Sequence, residues 1–206
     1  MPRPRSDALD GIRAVHHQIS NSLQSVVSLL NLESRMASPE AAGVLNEAGR
    51  RVRVVMRLHQ RLQEGAGDEV RLDDLLGDVC RDVAELDAVD RLAEIRMDLD
   101  PGIASSRTAS ALAMITAELV GNALEHGLAA RAGEVRVSLR VTGERGVLTV
   151  SDNGVGSANG PWKPGFGLSL VSRMAAQLGA TPVEEIGLDG CRYQIACSGI
   201  WLDPPS

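Results

Sequence analysis

Three short segments in the second half of the chain carry the residue types that phosphate and metal chemistry needs. The first is Glu118-Leu119-Val120-Gly121-Asn122-Ala123-Leu124-Glu125-His126. Read as a helix, it places Glu118, Asn122 and His126 (or Glu125 in its stead) one turn apart on a single face. Ala117, Leu119, Val120 and Leu124 supply the buried side. A carboxylate and an amide on one face can hold a hard cation through oxygen, with waters and phosphate oxygens completing its shell. The second segment is Ser151-Asp152-Asn153-Gly154-Val155-Gly156, a carboxylate at a strand end beside glycines that permit close backbone approach. The third is Gly165-Phe166-Gly167-Leu168-Ser169-Leu170-Val171, a glycine loop opening a helix, whose free amides make a phosphate cradle. Each segment alone also reads as ordinary structure, since glycine pairs make turns and Glu118 with Asn122 suits a solvated helix face. Their joint order and spacing is the informative feature.

A histidine pair, His16-His17, lies near the amino end. Leu9, Ile12, His16, Ile19, Leu23, Val26 and Leu30 step by three and four alternately, which is a helical seam. His16 sits on that seam, whereas His17 lies about 100° further round and is expected to face solvent. Ser38-Pro39-Glu40 supplies a cap, a first-turn proline and an acidic residue, so the helix is predicted to end near Met36. A second stripe, Ala41, Val44, Ala48, Val52, Val55, Leu58 and Leu62, stops at Gly65-Ala66-Gly67. Two amphipathic helices with a short connection make an antiparallel hairpin. A lone hairpin buries one side of each helix, so two copies are expected to associate as a four-helix bundle. The alternative is that the hairpin packs on its own C-terminal domain.

Behind the glycine break the pattern changes. A short stretch, Glu69 to Leu72, precedes a helix from Asp73 to Ala88. Ile95, Met97 and Leu99 alternate as a strand closed by Asp100-Pro101-Gly102. A helix follows from Ser106 to His126. Val135, Val137, Leu139 and Val141 alternate, Thr142 to Arg145 turn the chain, and Val147 to Val150 complete a hairpin. Beyond the glycine-rich stretch come a helix from Leu168 to Leu178 and two short strands near Val183 and Tyr193. The expected fold class is α+β: an N-terminal helical hairpin at residues 6–66 and a C-terminal α/β sandwich at residues 67–200.

Composition narrows the function classes. The chain has 206 residues, 21 Lys+Arg against 27 Asp+Glu, a net charge of −6 and a 44% apolar share, so it reads as a folded domain. Acidity without a basic cluster argues against nucleic acid and anionic membranes. No apolar run approaches the roughly 20 residues that span a bilayer, and no signal-type stretch opens the chain. Cys80, Cys191 and Cys197 are too few and scattered for a disulfide framework or a zinc site, so the expected setting is reduced and cytoplasmic. The aromatic residues Trp162, Phe166, Tyr193 and Trp201 all lie late in the sequence, leaving the rest to pack with aliphatic side chains.

The three C-terminal segments resemble the N box and the two glycine boxes of the Bergerat-type ATPase domain. That resemblance implies ATP held between the N-box helix and a lid at residues 157–164. It implies that Asp152 accepts the adenine amino group and that Asn122 binds Mg²⁺. Glu118 would lie near the γ-phosphate as a metal-positioning or base-like residue, His126 beside the nucleotide, and Gly154, Gly156, Gly165 and Gly167 in its loops. The stretch from Val15 to Gln24, followed by Ser28-Leu29-Leu30-Asn31-Leu32-Glu33, resembles the phosphoacceptor helix of the HWE-related bacterial sensor histidine kinases, commonly HHRVKNNLQ and then SLLNLQ. It implies that His17 accepts the γ-phosphoryl group and passes it to an aspartate on a response-regulator receiver domain, in a homodimer. Gln18 and Ser20 stand where that stretch carries arginine and lysine, and neither neutralises phosphate charge. The alternative is therefore a histidine phosphotransferase with an inactive ATPase domain. A Bergerat-type anti-sigma regulator is disfavoured by the helical hairpin. No sensory domain fits ahead of Leu9, so the chain is expected to be a catalytic fragment or to take its signal from a separate sensor protein.

Overall fold

The computed structural model describes residues 4–64, 68–86, 93–128, 131–156 and 166–202, with the side chains of residues 4–17, 20, 62–64, 86 and 166 outside that description. Helices α1 (Pro4–Met36) and α2 (Pro39–Glu64) form the expected hairpin. At the break, the Ala42 N–H donates to the Ser38 carbonyl at 2.8 Å and the Ala41 N–H to its Oγ at 3.4 Å. Pro39 fills a first-turn position where no amide hydrogen is needed.

The seam that α1 buries is displaced from the expected one. Leu23, Val27, Leu30, Asn31 and Ser34 are its inward residues, and Val27 is 1% exposed. Ile19 and Val26, by contrast, stay 40% and 44% exposed. Helix α1 carries two apolar stripes; one meets α2, and the other, with Ile19, Val26, Leu29 and Met36, remains open. Helix α2 packs on α1 with one side and on the C-terminal domain with another. The hairpin thus packs on its own C-terminal domain through α2.

That domain runs β1 (Glu69–Arg71), α3 (Leu72–Leu86), β2 (Ala93–Leu99), β3 (Gly102–Ser105), α4 (Ser106–Asn122), a π-helical turn (Ala123–Leu128), β4 (Gly133–Thr142), β5 (Arg145–Asp152), α5 (Phe166–Gln177), β6 (Val183–Ile186), β7 (Cys191–Ser198) and β8 (Ile200–Leu202). Five strands form a sheet in the order β2-β4-β5-β7-β6, with β2 parallel to β4 and the other neighbours antiparallel. Alternation sets its two faces. Val135, Val137, Leu139 and Val141 of β4 are buried while Arg136 and Arg140 between them are exposed. Leu75, Leu76 and Val79 of α3, Leu112, Ile115 and Leu119 of α4, and Val171 and Ala175 of α5 close the core over that sheet. It is aliphatic apart from Tyr193 and two cysteines. Cys80 is fully buried, and burial pushes its thiol up to about 12, so it stays protonated.

Two features differ from expectation. A second sheet, β1-β3-β8, gathers three short strands from distant parts of the chain; strands of three or four residues leave too little alternation to read. The helix expected to reach His126 gives up α-geometry after Asn122. Among the described residues, no helix is long and apolar enough to cross a membrane.

Candidate functional site

Helix α4 begins where the Ser105 hydroxyl accepts the Thr108 N–H at 3.3 Å, and from Ala109 it is buried almost throughout. Such a helix has no place for a lone charge, yet Glu118 is 1% exposed. Its partner comes from α2. Arg51 Nε donates to Glu118 Oε1 at 2.8 Å and Arg51 Nη2 to Oε2 at 3.0 Å, a bidentate pair, and Glu47 adds a contact to Arg51 at 3.3 Å. Burial works against the Arg51 charge. The hydrogen bonds and the two neighbouring carboxylates outweigh it and hold the guanidinium above its ordinary range.

Arg50 lies beside it, 1% exposed, with Nη1 donating to Glu125 Oε1 at 2.5 Å. A Cβ on Gly121 would stand 2.8 Å from the Arg50 Cζ, so the glycine makes room for the guanidinium. Arg50 Nε and Nη2 are buried without a hydrogen-bond partner, which costs about 1–3 kcal/mol per group. Further along α2, Arg57 binds Asp82 through two 2.7 Å hydrogen bonds, and Arg61 binds Asp78 at 2.5 Å. The i,i+4 spacing of Asp78 and Asp82 on α3 matches that of Arg57 and Arg61 on α2.

Asn122 ends α4, half-buried. A Cβ on Gly167, in the first turn of α5, would lie 2.7 Å from Glu118 Oε2, 3.3 Å from Glu47 Oε1 and 3.7 Å from Asn122 Nδ2. Glu118, Asn122 and Gly167 are therefore brought together. His126 and Glu125 part from them. Beyond Asn122 the wider π turn rotates the face, leaving His126 exposed and turning Glu125 to Arg50. Such turns recur at functional sites.

On the other side of that turn, Asp152 ends β5. Its Oδ1 accepts the Gly154 N–H at 2.9 Å. Burial raises its carboxyl above the usual range, while the amides of Gly154 and Cys191 oppose the shift. The Val155 N–H donates to the Gly127 carbonyl at 2.9 Å, and this closeness requires the glycine before it, because a Cβ on Gly154 would stand 2.0 Å from that oxygen. Gly156 has φ +50° and would place a Cβ 2.1 Å from the Gly187 carbonyl. Gly127 in turn abuts the Asp152 carboxylate. The π turn thus joins the two halves, with an acceptor carboxylate on one side and oxygen donors on the other.

Among the described residues there is no cluster of three or more His, Cys, Asp or Glu suited to a metal. A cation beside Glu118 and Asn122 therefore needs outside oxygens, which fits Mg²⁺ bound together with phosphates. Gly165 and residues 157–164 lie outside the described residues, and the side chains of His16 and His17 outside the described side chains. Sequence reading overlooked Glu47, Arg50 and Arg51. Their signal was an adjacent arginine pair following Gly49, with Glu47 four residues before Arg51.

Residues 14–87 match a histidine kinase family, and residues 108–196 match the family described as histidine kinase-, DNA gyrase B- and HSP90-like ATPase. The sensor histidine kinase PdtaS of Mycobacterium tuberculosis is 32% identical over 191 residues, covering 86% of this chain and 38% of the relative. Blue-light-activated histidine kinase 2 of Erythrobacter litoralis is 27% identical over 180 residues, 81% of this chain and 50% of the relative. The chain thus spans half or less of the length of these relatives. The solved histidine kinase domain of an Erythrobacter litoralis blue-light activated histidine kinase superposes with a TM-score of 0.70 at 21% identity, covering 88% of this chain and 94% of that one. At that identity the likeness is one of fold.

Proposed function

The chain belongs to the histidine kinases, and on that premise we propose that it is an ATP-dependent protein-histidine kinase of two-component type, phosphorylating itself on His17. The observation that carries this reading is the convergence of Glu118, Asn122 and Gly167 on one side of the π turn and Asp152 with Gly154 on the other. The division into a phosphoacceptor hairpin at residues 6–66 and a catalytic domain at residues 67–200 goes with it.

In this reading Asp152 takes the adenine amino hydrogen, for which a half-buried carboxylate already aligned by the Gly154 amide is well prepared. Gly154, Gly156, Gly165 and Gly167 bring backbone close to the nucleotide, and His126 stands at its open side. Asn122 and Glu118 would hold Mg²⁺ through oxygen; bound there, the ion supplies charge neutralisation to the phosphates. An imidazole of ordinary pKa, about 6.5, is mostly neutral at pH 7 and offers a lone pair. A ring nitrogen of His17 bonds to the γ-phosphorus, the bond to the bridging oxygen breaks, and ADP leaves. Most of the rate comes from positioning and electrostatics. The phosphoryl group then passes to an aspartate of a receiver domain. The open apolar face of α1 (Ile19, Val26, Leu29 and Met36) suits a second copy, and a separate sensor protein would supply the signal in the cytoplasm.

Incubation with γ-labelled ATP and Mg²⁺ tests this. The expected product is acid-labile, base-stable label on the wild type and none on His17→Ala. Label that survives in His17→Ala overturns the acceptor assignment, and ATP binding without any label points to a phosphotransferase.

A further inference from the structure

The Arg51–Glu118 pair bears on how the site is loaded. Both Glu118 oxygens accept hydrogen bonds from one guanidinium, the carboxylate side chain is 0% exposed, and Glu47 flanks the same cation. A bidentate guanidinium matches a carboxylate in geometry as well as charge. It occupies the electrostatic position that a divalent cation beside Asn122 would take. Two cations drawn to one carboxylate repel each other, so Arg51 and a metal compete for Glu118.

We propose that Arg51 is a built-in plug: its guanidinium stands in for the metal at Glu118, so that docking of α2 and binding of Mg²⁺-nucleotide exclude one another. The inference rests on the reading of Glu118 and Asn122 as the metal–nucleotide site. The rest of α2 is arranged for release at that end. Arg50 enters the interface with two unpartnered nitrogens, and that unmet hydrogen bonding penalises the docked state. Arg57 and Arg61, further along, are well paired with Asp82 and Asp78 of α3. Helix α2 can therefore lift from α4 about an anchored pivot on α3. Linkage makes the effect reciprocal: nucleotide weakens docking by the factor by which docking weakens nucleotide.

Calorimetry with Mg²⁺ and a non-hydrolysable ATP analogue, on the wild type, Arg51→Gln and Arg51→Lys, tests this. Folding is checked by far-UV circular dichroism. Arg51→Gln is expected to bind about tenfold tighter, inside the roughly 5–150-fold range usual for coupled sites. Arg51→Lys falls between, because an ammonium keeps the charge and loses the fork. On the unaltered protein, hydrogen exchange of residues 47–61 is expected to quicken when the analogue saturates the site. This second measurement decides the matter if Arg51→Gln does not fold. Equal or weaker binding by folded Arg51→Gln, or exchange in α2 that saturation leaves unchanged, overturns the plug and leaves the site reading standing. Failure of every protein to bind overturns both.

Discussion

Around Asp152 the chain is held by backbone, through Gly154 and Val155 amides, the Gly127 carbonyl and glycines that admit no Cβ. Around Glu118 it is held by side chains of another helix, Arg51, Glu47 and Arg50. Backbone contacts between two turns packed this closely cannot exchange partners without unfolding them. Ion pairs between two helices can break and re-form at modest cost. One end of the candidate site is consequently preorganised, and the other depends on where a neighbouring helix lies.

The sharpest way to break this contrast is Gly154→Ala. The added methyl meets the Gly127 carbonyl at 2.0 Å, so about 2–3 kcal/mol of folding stability should be lost in a urea titration. Gly179→Ala, left-handed but with nothing within 4 Å, should cost only about 1–2 kcal/mol.

Asp152→Asn sharpens the same side. Replacing a charged acceptor should weaken nucleotide binding by about 1.5–3 kcal/mol, read by calorimetry. Stability at pH 7 should hold or rise. A carboxyl whose folded pKa is raised contributes its stabilisation below the unfolded value and loses it as pH climbs through the folded one, because the charged form is the one that burial disfavours.

The smallest effect is expected on the α2–α3 clamp. Burial works against the Asp78 charge, but hydrogen bonds from Arg61 and Arg81 prevail and lower its pKa from 3.8. Its stabilisation is thus present above that value and fades as pH falls through the lowered one. Asp78→Asn should cost under ~1 kcal/mol at neutral pH, because the cluster is partly solvated and screened. Thermal melts of the variant should converge on the wild type in acid.

Much of the framework was legible beforehand. The hairpin announced itself through the Ser38-Pro39-Glu40 break and 3-4 spacing, and β4 through strict alternation from Val135 to Val141, because local geometry leaves those periods in the residues. The segments around Glu118 and Asp152 were legible for the same reason, as helix and strand end, and the helix after Gly167 by its apolar spacing. The buried face of α1 was not. Two apolar stripes coexist there, and periodicity alone does not choose between Leu23-Val27-Leu30 and Ile19-Val26. Strands β3 and β8 were equally silent, because their pairing is non-local and their length too short.

By itself, then, the amino-acid sequence determined the long helices and the longer strands, the alternating faces of β4, and the residue types able to meet a metal–nucleotide. Only the tertiary structure decided that Arg51 lies on Glu118, that Arg50 fills the space left by Gly121, and that His126 turns away from Asn122. Periodicity is written along a chain, whereas a salt bridge between residues 67 apart in sequence exists only once two helices have chosen which sides to bury.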